Sequence, residues 1–302
     1  MSHIVINKML SDKYEYWNRK WWYDFAHLYK TSDKQKMSNF IESAFTKVAH
    51  ITKKWDNDIN SEWIVRIYLA GKMIMASTLY LNSYSFSQKR NLRVVTSFLQ
   101  YYGIAYSMRA LLLMHPFESW QDGKILQTTH SKTINVVSDL LSKICGTKFT
   151  DETKKKILKL KAHRELISYR APSTGDAEAP PMDEGELHDL CRVFVEMAQL
   201  YSEILEMSCT KNAPRGKSFN LLDSYIASAC HTTIEGFPFV DEEDIGRLYY
   251  LKKKHSIPSN VRQTIAEGHV EDFFGSWLTP KTRPNRYDFD PDRNIRLIFD
   301  LP

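Results

Sequence analysis

The chain has 302 residues, of which 43% are hydrophobic and 13% aromatic, and its formal net charge is +5. This composition is sufficient for a buried core, and 11 glycines and 11 prolines are too few for an all-β sandwich with many tight turns. The mildly basic charge permits an anionic partner such as RNA but does not require one. We therefore expect a mainly α fold.

Several common classes of site have no support in the sequence. It contains no Gly-rich phosphate loop, HExxH or GxSxG motif, so NTPase, zincin and α/β-hydrolase activities are not indicated. No two of the four cysteines are spaced as CxxC, which fits reduced thiols and predicts neither a metal site nor a cofactor. The N-terminus is too polar for a signal peptide, and no window reaches 18 apolar residues. We expect a cytoplasmic protein without a membrane segment.

The first 60 residues form a predicted N-terminal extension. Residues 3–10 alternate in polarity and predict a short strand. Aromatic residues then recur at helical spacing between Tyr14 and Leu28, which predicts an aromatic helix starting near Ser11. Stacked rings can hold nucleobases, although packing of this helix onto a bundle is the favoured interpretation. A further helix is predicted over 35–54.

The central part of the chain, residues 61–208, contains the strongest helical patterns. Helices over 61–82 and 91–114 are predicted to be antiparallel neighbours because the connection between them is short. The stretch 101–115, YYGIAYSMRALLLMH, is apolar on all sides, which is typical of a buried central helix. Small residues such as Gly103 would let neighbouring helices approach closely, and Pro116 ends the helix.

Three more helices complete this central part. One is predicted after Thr129 or Ser131, which can cap it, and ends at Gly146. Another starts at Asp151 and places Arg164 in its apolar stripe, where an arginine needs a partner. A long apolar-striped helix follows over about 183–208.

The last part, residues 209–302, looks less regular. Helices are predicted over 219–231 and 241–254, the latter with acidic residues at its start and lysines at its end. The sequence NIRLIF at 294–299 predicts a short strand that could pair with 3–10.

Four central features together resemble the HEPN superfamily over roughly residues 61–208. They are YYGIAYSMRALLLMH, TTHSKTINVV, RELISYR and the long helix that follows them. The resemblance implies an antiparallel helical bundle that often dimerises and occurs in prokaryotic toxin, antiphage (antiviral) defence and RNA-processing systems. It also implies that catalytic members are metal-independent endoribonucleases with an R-x4-6-H motif. In that chemistry a histidine deprotonates the ribose 2′-hydroxyl and an arginine holds the scissile phosphate.

This chain departs from the family pattern at the motif itself. His188, near the start of the last bundle helix, has no arginine four to six positions before it. Two pairs match elsewhere, Arg109 with His115 and Arg262 with His269, although about one or two such matches arise by chance. Arg109 and His115 are the better candidate catalytic pair. The alternative is a core arginine and a histidine that ends a helix.

Further residues are candidates for substrate binding. His130, Arg164 and Tyr169 lie in the family-like segments, where a structural hydrogen-bond network is the more ordinary role. Lys155 and Lys159 belong to a basic run that could follow a phosphate backbone, although a solvated helix face is more common.

Two functions therefore stay open. The first is a HEPN-like protein of a prokaryotic defence or toxin system that acts on RNA as a metal-independent endoribonuclease. The second is a catalytically inactive HEPN-like subunit that binds or assembles with a partner protein. The expected partners are RNA and either a second copy of the chain or another protein of the same system. A helical protein unrelated to this family is a third, weaker possibility.

Overall fold

The computed structural model describes residues 14–175, 182–214, 216–278 and 288–302. The described chain is mainly helical with two short antiparallel β pairs, as the composition predicts. The first helices in chain order are α1 (Ala26–Thr31), α2 (Lys34–Thr52), α3 (Asn57–Lys89), α4 (Arg93–Met114), α5 (His130–Cys145) and α6 (Thr147–Arg170). They are followed by α7 (Glu184–Asn212), α8 (Asp223–Cys230), α9 (Glu242–Lys254), α10 (Val261–Thr264) and α11 (Glu267–Gly275). The strands are β1 (Tyr14–Tyr16), β2 (Arg19–Trp21), β3 (His231–Ile234) and β4 (Phe237–Val240).

Helix α4 is central in the bundle, as its all-round apolar sequence predicts. It packs against α3, α5, α6 and α7, and its contact with α3 is the most extensive between any two described helices. The two helices approach closely at Gly103, whose carbonyl accepts a hydrogen bond of 2.7 Å from the Ser77 hydroxyl. A Cβ atom at Gly103 would lie 2.8 Å from a terminal carbon of Leu81. The absence of a side chain there therefore fixes the spacing of the central pair.

Aspartate and threonine side chains set the helix starts that the sequence predicts. Thr129 caps α5, where its hydroxyl accepts from the Lys132 amide, and Asp241 caps α9 in the same way. Helix α3 begins earlier than predicted, after Asp56, and continues to Lys89 through the polar stretch expected to be a loop. Helix α6 also begins early, at Thr147, directly after Gly146.

The predicted aromatic helix from Ser11 to Leu28 is wrong. Strands β1 and β2 instead form a hairpin with a two-residue turn. Trp17 and Asn18 both adopt positive φ angles, 52° and 58°, as a type I′ turn requires. A buried carboxylate also competes with helix formation after the hairpin. Glu203 of α7 accepts 3.0 Å hydrogen bonds from the backbone amides of Trp22 and Tyr23, which removes both amides from any helical ladder.

The C-terminal part contains the predicted helices, of which α9 matches its expected bounds closely. A second hairpin, β3–β4, was not anticipated and leads directly from α8 into α9. Residues 294–299 form turns rather than the expected strand, and the expected partner strand at 3–10 lies outside the described residues. Phe299 stacks on Tyr23 with ring centroids 4.9 Å apart, so the tail packs against the N-terminal region through a side chain.

Helix α3 is long and apolar enough to cross a membrane by length and composition alone. Within the bundle, 78% of that apolar stretch is buried by other parts of the chain. Packing at the centre of the fold accounts for its composition.

Candidate functional site

Arg109 and His115 line different cavities. Arg109 lines a cavity of about 1280 Å³, and its Nη2 donates to the carbonyls of Leu126 (3.0 Å) and Thr128 (3.1 Å). His115 lines a separate cavity of about 290 Å³ beside α2. The structure therefore does not bring the two side chains to one groove, and their joint catalytic role stays a prediction.

Two other predicted residues, His130 and Arg164, lie together around Tyr101, where α4, α5 and α6 meet. The imidazole of His130 lies 5.3 Å from the ring centre of Tyr101. The guanidinium carbon of Arg164 lies 5.4 Å from the same ring centre. Arg109 is close enough for its charge to influence both His130 and Tyr101. We call Tyr101, Arg109, His130 and Arg164 the His130 cluster.

Two polar atoms in the His130 cluster are buried without a hydrogen-bond partner. They are the Tyr101 hydroxyl and the Arg164 Nε. Arg164 Nη2 is partnered, since it donates to Glu165 at 3.1 Å. Unpaired buried donors are rare in folded proteins because each costs free energy. The cluster therefore holds two unsatisfied polar atoms that are closed off from solvent.

The surroundings of His130 favour its neutral form. Burial lowers its pKa first, and the positive charges of Arg109 and Arg164 lower it further. His130 is also the first residue of α5, where the positive end of the helix dipole disfavours an imidazolium. A neutral imidazole beside two guanidinium groups can accept a proton while the arginines attract an anion.

A strip of tyrosines extends from the His130 cluster. Tyr102 is in contact with the His130 ring, at 6.0 Å between centroids, and lies 5.8 Å from the guanidinium carbon of Arg164. Tyr106 and Tyr80 continue the strip, 5.2 Å apart. All three rings of this tyrosine strip are partly exposed. The sequence analysis missed the strip, although the spacing of Tyr102 and Tyr106 by four residues on α4 was a usable signal.

Tyr169, Lys155 and Lys159 do not join the His130 cluster. At about 100° per residue, Lys155 points about 180° and Lys159 about 140° away from Arg164 around α6. Tyr169 also points about 140° away, and its side chain is 76% exposed. The predicted substrate-binding residues therefore divide into a clustered pair, His130 with Arg164, and three exposed residues on other faces.

The second sequence match, Arg262 with His269, is not brought together either. Arg262 pairs with Asp300 at 3.3 Å, whereas the His269 ring is buried and stacks on Tyr68 at 5.0 Å. The Tyr68 hydroxyl donates to Asp244 at 2.8 Å. The contacts of Tyr68 with Asp244 and His269 join α3, α9 and α11. His269 therefore has a structural role in packing, and Arg262 has one in its ion pair with Asp300.

No family model, curated protein or solved structure matches this chain. Within the part of the chain that the structure describes, no group of three or more His, Cys, Asp or Glu side chains is placed to hold a metal ion.

Proposed function

We propose that the protein is a HEPN-like member of a prokaryotic defence or toxin system and cleaves RNA as a metal-independent endoribonuclease through His130. The observation that carries the proposal is that His130 and Arg164 both lie against the rings of Tyr101 and Tyr102, where burial and the charges of Arg109 and Arg164 lower the pKa of His130. The resemblance of the central helices to HEPN domains supplies the substrate class. The reacting histidine is thus moved from His115, the sequence-based candidate, to His130.

The side chains can support a balanced reaction. His130 takes the proton from a ribose 2′-hydroxyl, and the resulting oxygen attacks the adjacent phosphorus. The bond from phosphorus to the 5′-oxygen breaks, which leaves a 2′,3′-cyclic phosphate, and the imidazolium returns its proton to the departing 5′-oxygen. Arg164 donates to a non-bridging oxygen as negative charge builds there.

The tyrosine strip supports RNA as the substrate. Partly exposed aromatic rings stack on nucleobases of any sequence, and such stacking is worth about 1–3 kcal/mol per base. Tyr102 is near enough to the His130 ring to place a stacked base next to the reacting phosphate. Single-stranded RNA fits this arrangement because its bases are free to stack.

The test is cleavage of a 5′-labelled single-stranded RNA in excess EDTA. The wild type should produce fragments ending in 2′,3′-cyclic phosphate, and His130→Ala should lower the rate at least about 100-fold because a positioned base is removed. Arg164→Ala should lower it similarly, while the control Lys155→Ala should not. An inert wild type, or equal rates in His130→Ala and wild type, would refute the proposal.

A specific observation favours the second function, a non-catalytic assembly subunit. Four large apolar residues of the β3–β4 hairpin are each more than half exposed, namely Ile234, Phe237, Phe239 and Val240. Ile234 pairs with Phe237 across the hairpin, and Phe239 lies on the same face. Exposed apolar faces of this kind are typical of protein interfaces.

For this alternative we commit to a second copy of the chain as the partner, so the hairpin would mediate a homodimer. Sedimentation velocity should then show a dimer for the wild type and a monomer for Phe237→Ser with Phe239→Ser. The control Tyr250→Ser changes an exposed ring on α9 and should leave the dimer intact. A monomeric wild type would rule out the homodimer.

A further inference from the structure

The cavity beside His115 has an unusual concentration of positive charge. It lies where α2 and α5 meet the end of α4, and its volume is about 290 Å³. Its lining includes His115, three lysines and aromatic rings but no acidic side chain. We call the group formed by Lys36, Lys47, Lys143 and His115 the lysine pocket.

His115 is buried and unsatisfied at the wall of the lysine pocket. Its side chain is 8% exposed, and its Nδ1 atom has no hydrogen-bond partner. The ring is held edge-on by Phe117 and Tyr201, at centroid distances of 5.4 Å and 5.9 Å. A buried ring nitrogen that is held in place but unpaired is costly unless a ligand or water satisfies it.

Hydrogen bonds from the buried Arg66 side chain hold the backbone around His115 in place. This arginine is 1% exposed and donates to the carbonyls of Leu113 (2.6 Å), His115 (2.7 Å) and Glu118 (2.7 Å). It also pairs with Glu62 at 2.7 Å. His115 is therefore positioned before any ligand arrives, so binding need not order this segment.

The three lysines are available to a ligand. Among the residues that the structure describes, none of the three forms an ion pair. Lys47 lies over the Phe117 ring, 4.6 Å from its centre, and Lys143 is in the last turn of α5. Glu118 is the acidic side chain whose charge acts on His115. It forms an ion pair with Lys132 at 2.8 Å.

We infer that the lysine pocket binds a phosphate monoester no larger than a mononucleotide, with the phosphate between Lys47 and Lys143 beside the His115 ring. Lysine ammonium groups are common partners of phosphate, and Lys47 and Lys143 are close enough for their charges to act on the His115 ring. The partly exposed ring of Phe40 and the exposed ring of Phe117 offer apolar surface to the organic part. The volume of about 290 Å³ lies just below the range of about 300–1,000 Å³ for small-molecule sites, which limits the ligand to this size.

This inference is independent of RNA cleavage at His130. The lysine pocket and the His130 cluster share no residue, so either site can fail its test while the other passes. A small phosphorylated ligand at His115 would be a second bound species and not the RNA substrate.

The test is a titration of the full chain monitored by NMR of the His115 imidazole. The probes are inorganic phosphate, ribose 5-phosphate and adenosine 5′-monophosphate, with adenosine as the phosphate-free control. Binding of either monoester should shift the His115 resonances and raise its pKa from about 4, because a bound anion favours the imidazolium. The charges around the ring that compete with this effect are Lys47, Lys143, Arg66 and Glu118.

Variants decide whether the lysines provide the affinity. Lys47→Gln with Lys143→Gln should weaken binding of the monoesters about tenfold or more, since two attractive charges are lost. Lys54→Gln, an exposed lysine outside the pocket, should bind like the wild type. Binding of inorganic phosphate as tight as that of the monoesters would assign the site to free phosphate, which retains the anion chemistry but refutes the monoester. Equal binding of adenosine, an unshifted His115, or unchanged affinity in the double variant would overturn the inference.

Discussion

His130 and His115 both lie among cations, yet their surroundings differ in kind. His130 is partly exposed beside two arginines and a strip of tyrosines, and the guanidinium of Arg109 is already engaged by two carbonyls. His115 is buried at the edge of a pocket with three flexible lysines that have no ion-pair partner among described residues. Planar arginines and open rings suit a polynucleotide, whereas a small pocket lined by lysines suits a compact anion. The same residue type therefore has different surroundings according to which helices meet around it.

The largest expected effect concerns the rigid support of His115. Arg66→Ala should destabilise the protein by about 3–5 kcal/mol, because three buried carbonyls and Glu62 lose their common partner. Urea unfolding measures the change, with the exposed Arg170→Ala as a control within about 0.5 kcal/mol of wild type. A small effect of Arg66→Ala would mean that the His115 segment is held by other contacts.

Acid should destabilise the protein through its buried histidines. Burial lowers the pKa of His115 and of His269 to about 4, whereas the unfolded chain titrates near 6.5. The unfolded state therefore binds more protons between these values, and the free energy of unfolding falls as pH drops from 6.5 to 4, by up to about 3 kcal/mol per histidine. Glu203 opposes this trend, since burial raises its pKa to about 7 and its contribution is lost as pH rises.

Urea unfolding from pH 4.5 to 7 isolates the part due to His115. His115→Asn should show a shallower loss of stability toward acid than the wild type. Parallel curves for His115→Asn and wild type would show that His115 is not kept neutral by burial.

A smaller change in stability is expected from disturbing the close packing of α3 and α4. Helix α4 matters for both histidines, because His115 follows its end and His130 packs against Tyr101 on it. Gly103→Ala should destabilise by about 1–3 kcal/mol because the added methyl group meets Leu81. Gly246→Ala, in the exposed part of α9 with nothing within 4 Å, should instead stabilise by about 0.5–1 kcal/mol. Thermal unfolding of the two variants should therefore shift in opposite directions, and equal shifts would contradict the packing.

The smallest effect is expected at Tyr169. Tyr169→Ala should change stability by less than about 0.5 kcal/mol and leave RNA cleavage unchanged, since the ring is exposed and points away from Arg164. Chemical unfolding and the cleavage assay measure both. A marked loss of cleavage in Tyr169→Ala would show that Tyr169 takes part in substrate binding after all.

Much of the fold could be predicted because its helices carry local signals. The all-round apolar sequence of α4, the cap at Thr129 and the acidic start of α9 each act over a few residues. The N-terminal hairpin could not be predicted in this way, because its aromatic spacing also fits a helix and Glu203, some 180 residues away, decides the outcome.

The candidate site was only partly predictable. Sequence patterns selected His130 and Arg164, and the structure brings these two together. Spacing alone paired Arg109 with His115, but Arg66 fixes the end of α4 so that His115 lines a different cavity. The lysine pocket draws Lys36 and Lys143 from separate helices, and no pattern in the sequence joins residues so far apart.

The central claim is that His130, and not His115, is the base in RNA cleavage. The most direct measurement compares the cleavage rates of His130→Asn and His115→Asn on one single-stranded RNA in EDTA. We predict a loss of at least about 100-fold for His130→Asn and a near wild-type rate for His115→Asn. The reverse order, or equal rates for both variants, would contradict the account.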